Sequence, residues 1–149
     1  MSRLILVDSR EKVTKRVKPL TFTLPTKKVK MITGDYSMHG YLGVICVEHK
    51  RWGDLVRCCS TSSAWKKFRE GQLTRLAAVP YSVILVNGNL DNPIPIYSSC
   101  RKETIVGRVS KILVEFGIPV LFASNEHLAS QICENYILNA ANHIERHGL

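Results

Sequence analysis

Short apolar runs alternate along the chain with longer segments whose apolar residues recur every three or four positions. A short continuous apolar run is typical of a strand covered on both faces of a sheet. Two more segments, separated by a turn between Gly40 and Gly43, have the pattern of an antiparallel hairpin. The predicted strands cover residues 4–7, 36–39, 44–49, 81–86 and 119–123, and the first of them ends at Asp8.

Four segments carry apolar residues at helical spacing. The segment 64–77 collects Trp65 and Phe68 on one side and its basic residues on the rest, and the Ser/Thr-rich stretch 60–63 is expected to cap it. Gly117 ends the third helix, and Ser124 or Asn125 is expected to cap the last. The predicted helices cover residues 52–59, 64–77, 104–116 and the segment from that cap to about residue 145.

Residues 9–30 differ from the rest because they carry eight basic residues and few large apolar ones. Pro19 and Pro25 argue against one long element, so we predict a loop with a turn of helix at 12–17 and an edge strand at 21–24. The order of strands and helices predicts one α/β domain over residues 1–149, with a mixed sheet and helices on both faces.

The basic residues are concentrated in the first half of the chain. The 149 residues hold 21 Lys and Arg against 12 Asp and Glu, a formal net charge of +9. Residues 1–75 hold 16 of these basic residues and six of the acids, so the remainder is close to neutral. This asymmetry favours a polyanionic partner, nucleic acid or an anionic membrane surface, although solvated surface lysines would produce the same pattern.

Cysteine spacing and hydropathy narrow the class of protein further. The five cysteines are odd in number and lack zinc-type spacing, so we predict reduced thiols and no structural zinc. No window approaches the ~20 apolar residues of a membrane span, and Asp8 interrupts the first apolar run too early for a secretory signal. We therefore expect an intracellular protein of the cytoplasm, nucleoid or nucleus, with no membrane partner.

Carboxylates at strand ends stand out within the basic half. Such acids can hold a metal ion while basic neighbours hold phosphates, or they can simply form ion pairs with those neighbours. The spacing favours the first interpretation, because Glu48-x-Lys50 follows thirteen residues after Gly34-Asp35. Side chains alternate along a strand, so Glu48 and Lys50 share one face.

This arrangement suits the hydrolysis of a phosphodiester bond. Two carboxylates are enough for Mg²⁺, which retains several waters and takes few protein ligands. The ion polarises the phosphate and lowers the pKa of a bound water, and a lysine one pleat further along can orient that water or offset transition-state charge. Taken alone, the acid-and-lysine pattern recurs by chance in many soluble chains.

Several ordered motifs around this pattern resemble one family. Val-Asp-Ser-Arg-Glu at 7–11, Gly-Asp-Tyr at 34–36 and Val-Glu-His-Lys-Arg-Trp-Gly-Asp-Leu at 47–55 resemble the nuclease domain of the XPF-type structure-specific endonucleases. The similarity continues through the helix at 67–76, the strand at 81–88 and the strand entry at 117–122. It therefore spans nearly the whole chain.

The resemblance implies a three-layer α/β/α restriction-endonuclease-like fold with a central mixed β-sheet, and a PD-(D/E)xK catalytic core. It also implies a magnesium-dependent endonuclease, in which manganese could substitute, that cuts branched DNA such as flaps, forks or junctions. By matching positions, Asp35 and Glu48 are expected metal ligands, Lys50 the catalytic lysine and Asp8 an additional acid beside the metal. The supporting or phosphate-contacting positions are Arg10, Glu11, Asp54, Arg69 and Arg75.

Further basic residues are expected to contact DNA, with a solvated face as the alternative. Two tryptophans, Trp52 and Trp65, are predicted to lie in the core rather than to stack on bases. The candidate DNA-binding residues are Lys12, Lys15, Arg16, Lys27, Lys28, Lys66 and Lys67.

Two departures from the family pattern modify these expectations. His49 stands where the signature Glu-Arg-Lys has arginine, and by alternation it points away from the Glu48 face. We therefore expect a structural or DNA-contact change there rather than lost metal chemistry. We also expect a single nuclease domain without a helix-hairpin-helix domain, so substrate selection is expected from the basic segment, from dimerisation or from a partner.

Dimerisation through C-terminal helices is common in the family, as a homodimer or with a partner subunit. Packing on the domain's own sheet is an equal alternative for the apolar residues that recur at helical spacing near the C-terminus. Those residues are Leu128, Ile132, Tyr136, Ile137 and Ile144.

Three functions follow from these patterns. The favoured one is a structure-specific DNA endonuclease of repair or recombination, encoded by a virus or phage if it acts as a minimal stand-alone enzyme. A Holliday-junction resolvase of a phage or virus is the second. A non-catalytic DNA-binding subunit of a nuclease complex is the third, and the presence of all the acids and the lysine argues against it. An RNA-binding role ranks last, because no strand has the aromatic pattern of an RNA-binding sheet.

Overall fold

The computed structural model describes residues 3–10 and 19–149. A six-stranded sheet forms its centre, in the order β2-β1-β3-β4-β5-β6. Strand β3 is antiparallel to both of its neighbours, and the other adjacent pairs are parallel, so the sheet is mixed as predicted. The strands are β1 Ile5–Asp8, β2 Thr26–Val29, β3 Tyr36–Met38, β4 Ile45–Arg51, β5 Tyr81–Asn87 and β6 Val120–Ala123.

Helices cover both faces of the sheet. The predicted helix 64–77 is continuous, but its middle, Arg69–Leu73, is a π-helical turn. No helix in the described ranges has the length and apolar character needed to cross a membrane. The α-helices are α1 Trp52–Ser60, α2 Ser62–Phe68, α3 Thr74–Ala77, α4 Lys102–Phe116 and α5 Glu126–His147.

Two hydrophobic cores, one on each side of the sheet, produce the three layers. Alternation along β5 sends Val83 and Leu85 to the face covered by α5, where they join Ile137. Ile84 and Val86 point to the opposite face, which α1, α2 and α4 cover. A strand with large apolar residues on both faces must be buried on both, which explains the continuous apolar run from 81 to 86.

The predicted helix caps are confirmed. The Thr61 hydroxyl accepts a hydrogen bond from the Ala64 amide and caps α2, and Asn125 caps α5 in the same way through the Leu128 amide. Gly117, with φ of +68°, ends α4 in a left-handed conformation.

The predicted edge strand at 21–24 is wrong, because the strand forms after Pro25 as β2. Glu134, buried on α5, accepts hydrogen bonds from the amides of Thr23 at 3.1 Å and Leu24 at 2.9 Å. These bonds dock the segment on a helix, so its amides are not available to the sheet. The turn of helix predicted at 12–17 lies outside the described residues.

Strand β6 is less buried than its apolar sequence predicts. It lies at the edge of the sheet, paired with β5, and only Ala123 is fully buried in it. Leu121 remains 37% exposed. The prediction of a buried strand was therefore wrong, since an edge strand receives cover from fewer neighbours.

Candidate active site

Three carboxylates from neighbouring strands line one cleft. Asp8 ends β1, Asp35 precedes β3 and Glu48 lies in β4. Backbone hydrogen bonds fix their relation: the Asp8 amide donates to the Asp35 carbonyl at 2.9 Å, and the Asp35 amide donates to the Val47 carbonyl at 2.8 Å. All three acids are buried, and they line a cleft of about 290 Å³ that we call the acidic cleft.

Gly34 is required by the backbone that presents Asp35. Its φ is +81°, a conformation that residues with a Cβ rarely adopt. A Cβ at this position would lie 3.0 Å from Cys46 Cβ and 3.4 Å from the Val47 carbonyl oxygen. The Gly-Asp pair is therefore a steric requirement of the turn that brings Asp35 beside β4.

Hydrogen bonds hold the side chains of Asp8 and Asp35. Asp35 Oδ2 accepts the His49 amide at 2.8 Å. Asp8 Oδ1 accepts the Met31 amide at 3.2 Å, and its Oδ2 forms an ion pair with Arg10 Nε at 3.5 Å. Arg10 also donates to the Met31 carbonyl, so it ties the Asp8 strand end to the loop before Asp35.

The donor set suits a hard cation held by few protein ligands. Asp35 and Glu48 supply carboxylate oxygens, the ligands that Mg²⁺ prefers. Within residues 3–10 and 19–149, no three Asp, Glu, His or Cys side chains converge closely enough to hold one ion. Asp35 and Glu48 would hold such an ion with waters completing its shell, and Asp8, which lines the same cleft, stays the predicted additional acid beside it.

Cys46 lies behind Gly34, next to the two acids. Burial, and then the negative charges of Glu48 and Asp35, raise the pKa of its thiol to about 12. The thiol therefore stays protonated at neutral pH.

Lys50 lies one pleat beyond Glu48, on the same face. Its side chain is buried, and Nζ lies 5.2 Å from the centroid of the Phe68 ring. Burial alone would raise the pKa of Asp54, but its hydrogen bond to Arg51 and the charges of Arg51, Arg57 and Lys50 outweigh it, so the pKa is lowered. Asp54 therefore stays ionised at neutral pH, paired with Arg51 and Arg57, and its supporting role stays a prediction.

Comparison with known proteins identifies the family. The model of the ERCC4 domain matches residues 7–135. The chain belongs to the ERCC4 domain family. The resemblance to an XPF-type nuclease domain is thereby confirmed.

Solved structures agree on the fold. XPF from Aeropyrum pernix is similar with a TM-score of 0.71 and 18% identity, over 92% of this chain and 61% of that chain. XPF from Aeropyrum pernix in complex with DNA is similar with a TM-score of 0.69 and 18% identity, over 93% and 65%. The chain thus spans less than two thirds of these proteins, and the likeness establishes the fold alone. No curated protein matches the chain.

The segment 67–76, which resembles a helix of the family, brings one of its two predicted arginines to the acidic cleft. Arg75 lines the cleft, whereas Arg69 turns away and pairs with Glu115 on α4 at 3.1 Å. Gln72, from the π-helical turn, lines the cleft instead and was not singled out from the sequence. The available signal was its position within the segment 67–76, which resembles a helix of the family.

The predicted DNA-contacting residues are distributed over several surfaces. Lys27 and Lys28 are exposed on β2, and Lys66 and Lys67 are exposed on α2. None of these four lysines lines the acidic cleft. Glu11, Lys12, Lys15 and Arg16 lie outside the described residues.

His49 faces the α5 side of the sheet, as alternation predicts. It is fully buried, its Nε2 lies 3.0 Å from Asn87 Oδ1, and its ring lies 6.3 Å from that of Tyr36. In this ERCC4 domain the departure from arginine is therefore structural, because a buried imidazole has no surface for DNA.

The two tryptophans and most of the C-terminal apolar residues pack against a hydrophobic core. Trp65 is buried and Trp52 packs against the same core, with its indole N–H donating to the Pro93 carbonyl at 2.9 Å. Of the C-terminal apolar residues, Ile137 is buried, while Leu128 is exposed. The other three, Ile132, Tyr136 and Ile144, are partly buried against the core under α5.

Proposed function

We propose that this domain is a metal-dependent, structure-specific endonuclease that hydrolyses phosphodiester bonds in branched DNA. The observation that carries the proposal is the acidic cleft, in which Asp35 and Glu48 lie together with Arg10 and Arg75. Carboxylates attract a divalent cation, and guanidinium groups bind phosphate oxygens. A site that combines both suits a phosphodiester bridged to a metal ion.

Asp35 and Glu48 would hold magnesium, with manganese able to substitute. When bound, the ion supplies charge to polarise the phosphate and lowers the pKa of a water. Arg75 orients the phosphate from the rim of the cleft. Lys50, one pleat beyond Glu48 and buried against Phe68, would orient that water or offset transition-state charge. Asp8 and Arg10 hold the strand end in place.

DNA is the proposed partner because of the charge distribution. Residues 1–75 carry 16 Lys and Arg, and exposed lysines extend from β2 and α2. XPF from Aeropyrum pernix has been solved in complex with DNA, which supports the same partner here. Roles in DNA repair or recombination follow from branched substrates.

A homodimer is proposed through the β6 edge of the sheet, and a partner subunit could use the same surface. Leu113 on α4, Leu121 on β6 and Leu128 on α5 are exposed leucines on the last three elements. An edge strand flanked by apolar side chains is a typical pairing surface. Ile137 packs in the domain's own core. Of the C-terminal apolar residues predicted to form a dimer face, Leu128 is therefore the one proposed to contact the second subunit.

The proposal is tested with labelled flap, fork, four-way junction and plain duplex DNA, incubated with magnesium, manganese or EDTA. We expect cutting of branched DNA in either metal and none in EDTA. Asp35→Asn retains an acceptor for the His49 amide but removes charge, so it should abolish cutting. Asp91→Asn, at an exposed loop position, is the matched control.

The other outcomes identify the rival functions. Binding of every substrate with no metal-dependent cutting would refute the enzyme and leave a DNA-binding subunit. Paired cuts confined to the four-way junction would identify a junction resolvase. Undiminished cutting by Asp35→Asn would show that the reaction occurs elsewhere.

A further inference from the structure

A second cavity, of about 310 Å³, opens beside the acidic cleft. Its volume is at the lower end of ligand pockets, which measure ~300–1,000 Å³. It lies between the β3–β4 turn, the loop before Asp35 and the end of α3. We call it the apolar cavity, and its apolar walls include Met31, Ile32, Leu42, Ile45, Ala78 and Val79.

The apolar cavity adjoins the acidic cleft. Ile32, Thr33 and Arg75 line both, so they form the boundary between them. Ile32, three positions before Asp35, is 91% exposed, and Leu42 on the other wall is 51% exposed. A single exposed apolar residue is ordinary, but here two border one cavity next to the candidate active site.

Two basic side chains also line the apolar cavity. Lys30 and Arg75 are among its lining residues. Within the part of the chain that the structure describes, neither of them forms an ion pair with a carboxylate. A cavity with apolar walls and two basic side chains is complementary to a nucleotide, because the base has apolar faces and the phosphate is an anion.

We propose that the apolar cavity receives one unpaired nucleobase of the strand whose phosphate lies in the acidic cleft. Ile32 separates this base from its neighbour, as apolar wedges do between base steps. Arg75, which lines both the apolar cavity and the acidic cleft, contacts the phosphate in the cleft and so sets its distance from the base. This inference rests on the proposed function and extends it.

The cavity would link cutting to DNA structure. A base in a duplex must be unpaired and unstacked before it can enter a pocket, and this cost is least for a base that is already single-stranded. The cut would therefore occur at a fixed distance from an unpaired base. Preference for branched DNA then arises within the nuclease domain itself.

The test measures DNA binding in EDTA, so it does not depend on cleavage. Fluorescence anisotropy gives the Kd of flap DNA in which an abasic site is moved through the unpaired nucleotides next to the junction. For the wild-type chain, we expect one position to raise Kd by about 10-fold. A tenfold change is about 1.4 kcal/mol, which corresponds to the burial of about 60 Å² of base surface against apolar walls. The other positions should change Kd less than about twofold.

Variants assign this effect to the cavity. Ala78→Phe fills it from an exposed position, so intact flap DNA should bind about 10-fold more weakly and the abasic site should have no further effect. Ile32→Ala and Leu42→Ser each shorten a side chain on opposite walls of the cavity. Both should reduce the rise in Kd that the abasic site causes in wild type. Leu149→Ala, another exposed aliphatic residue, should behave as wild type. Thermal unfolding checks each variant, and the two wall variants carry the test if Ala78→Phe fails to fold.

The outcomes separate the two proposals. Equal abasic effects in wild type and in all three cavity variants would overturn the base site, even if the protein cuts branched DNA. A position-specific abasic effect that the variants remove, without any cutting in magnesium, would support the base site and refute the nuclease. Absence of DNA binding would overturn both.

Discussion

Replacing Gly34 by alanine tests how the fold presents Asp35. The left-handed backbone, with φ of +81°, costs an L-residue about 1–2 kcal/mol. The new Cβ would also lie 3.0 Å from Cys46 Cβ and 3.2 Å from its Sγ. Overpacking of this kind typically costs ~1–3 kcal/mol, so we expect a total loss of about 2–5 kcal/mol.

Two other glycines separate these contributions. Gly117 has φ of +68° and nothing within 4 Å of its ideal Cβ, so Gly117→Ala should lose only the backbone part, about 1–2 kcal/mol. Gly107 lies within α4 with equally open space, so Gly107→Ala should stabilise by about 1 kcal/mol. Urea unfolding, read as midpoint and slope, measures all three free energies of unfolding.

The same series has a functional readout. A shift of a few tenths of an ångström at Gly34 moves Asp35, and misplacement of a reacting group costs about 10- to 100-fold in rate. Only Gly34→Ala should slow the cutting of flap DNA under conditions where all three variants are folded. If Gly34→Ala costs no more stability than Gly117→Ala, the contact with Cys46 is not the constraint described here.

Three further predictions concern the docking segment, pH dependence and assembly. Glu134→Ala removes the acceptor of the Thr23 and Leu24 amides and should lower the free energy of unfolding by about 2–4 kcal/mol, measured by urea unfolding. Glu134→Gln keeps one acceptor oxygen and should therefore lose less. The pKa of Asp54 is lowered from 3.8, so its stabilising contribution is complete above that pH and is lost as pH falls through the folded-state value. Asp54→Asn should therefore destabilise at pH 7, and the difference from wild type should shrink as the pH falls below 3.8; a loss that does not change with pH would contradict the assignment. Leu121→Glu should convert a dimer to a monomer in sedimentation equilibrium with little change in thermal stability, and a wild-type monomer at high concentration would remove the dimer proposal.

The elements that sequence periodicity predicted well are those with a regular burial pattern. Residues 81–86 have apolar side chains on both faces, and the structure buries them between two helical layers. The Gly-Asp and Glu-x-Lys motifs indicated Asp35 and Glu48, which the structure brings to one cleft, while their roles as metal ligands stay predictions.

The parts that could not be predicted depend on contacts distant in sequence. The segment 21–24 is not a strand because Glu134, more than a hundred residues away, binds its amides. The π-helical turn over Arg69–Leu73 accompanies a cleft lined by Gln72 rather than Arg69, and helical periodicity cannot anticipate such an extra residue. The apolar cavity depends on three separate loops, so no local pattern indicated it.

The most direct test of the central claim is the single-turnover rate of flap cutting as magnesium is titrated. Wild type should show a saturable, metal-dependent rate that EDTA abolishes. Asp35→Asn and Glu48→Gln should lose at least about 100-fold in rate while they bind the flap in EDTA with nearly unchanged affinity. A rate that is independent of magnesium, or that either variant retains, would contradict the assignment of the acidic cleft as the catalytic metal site.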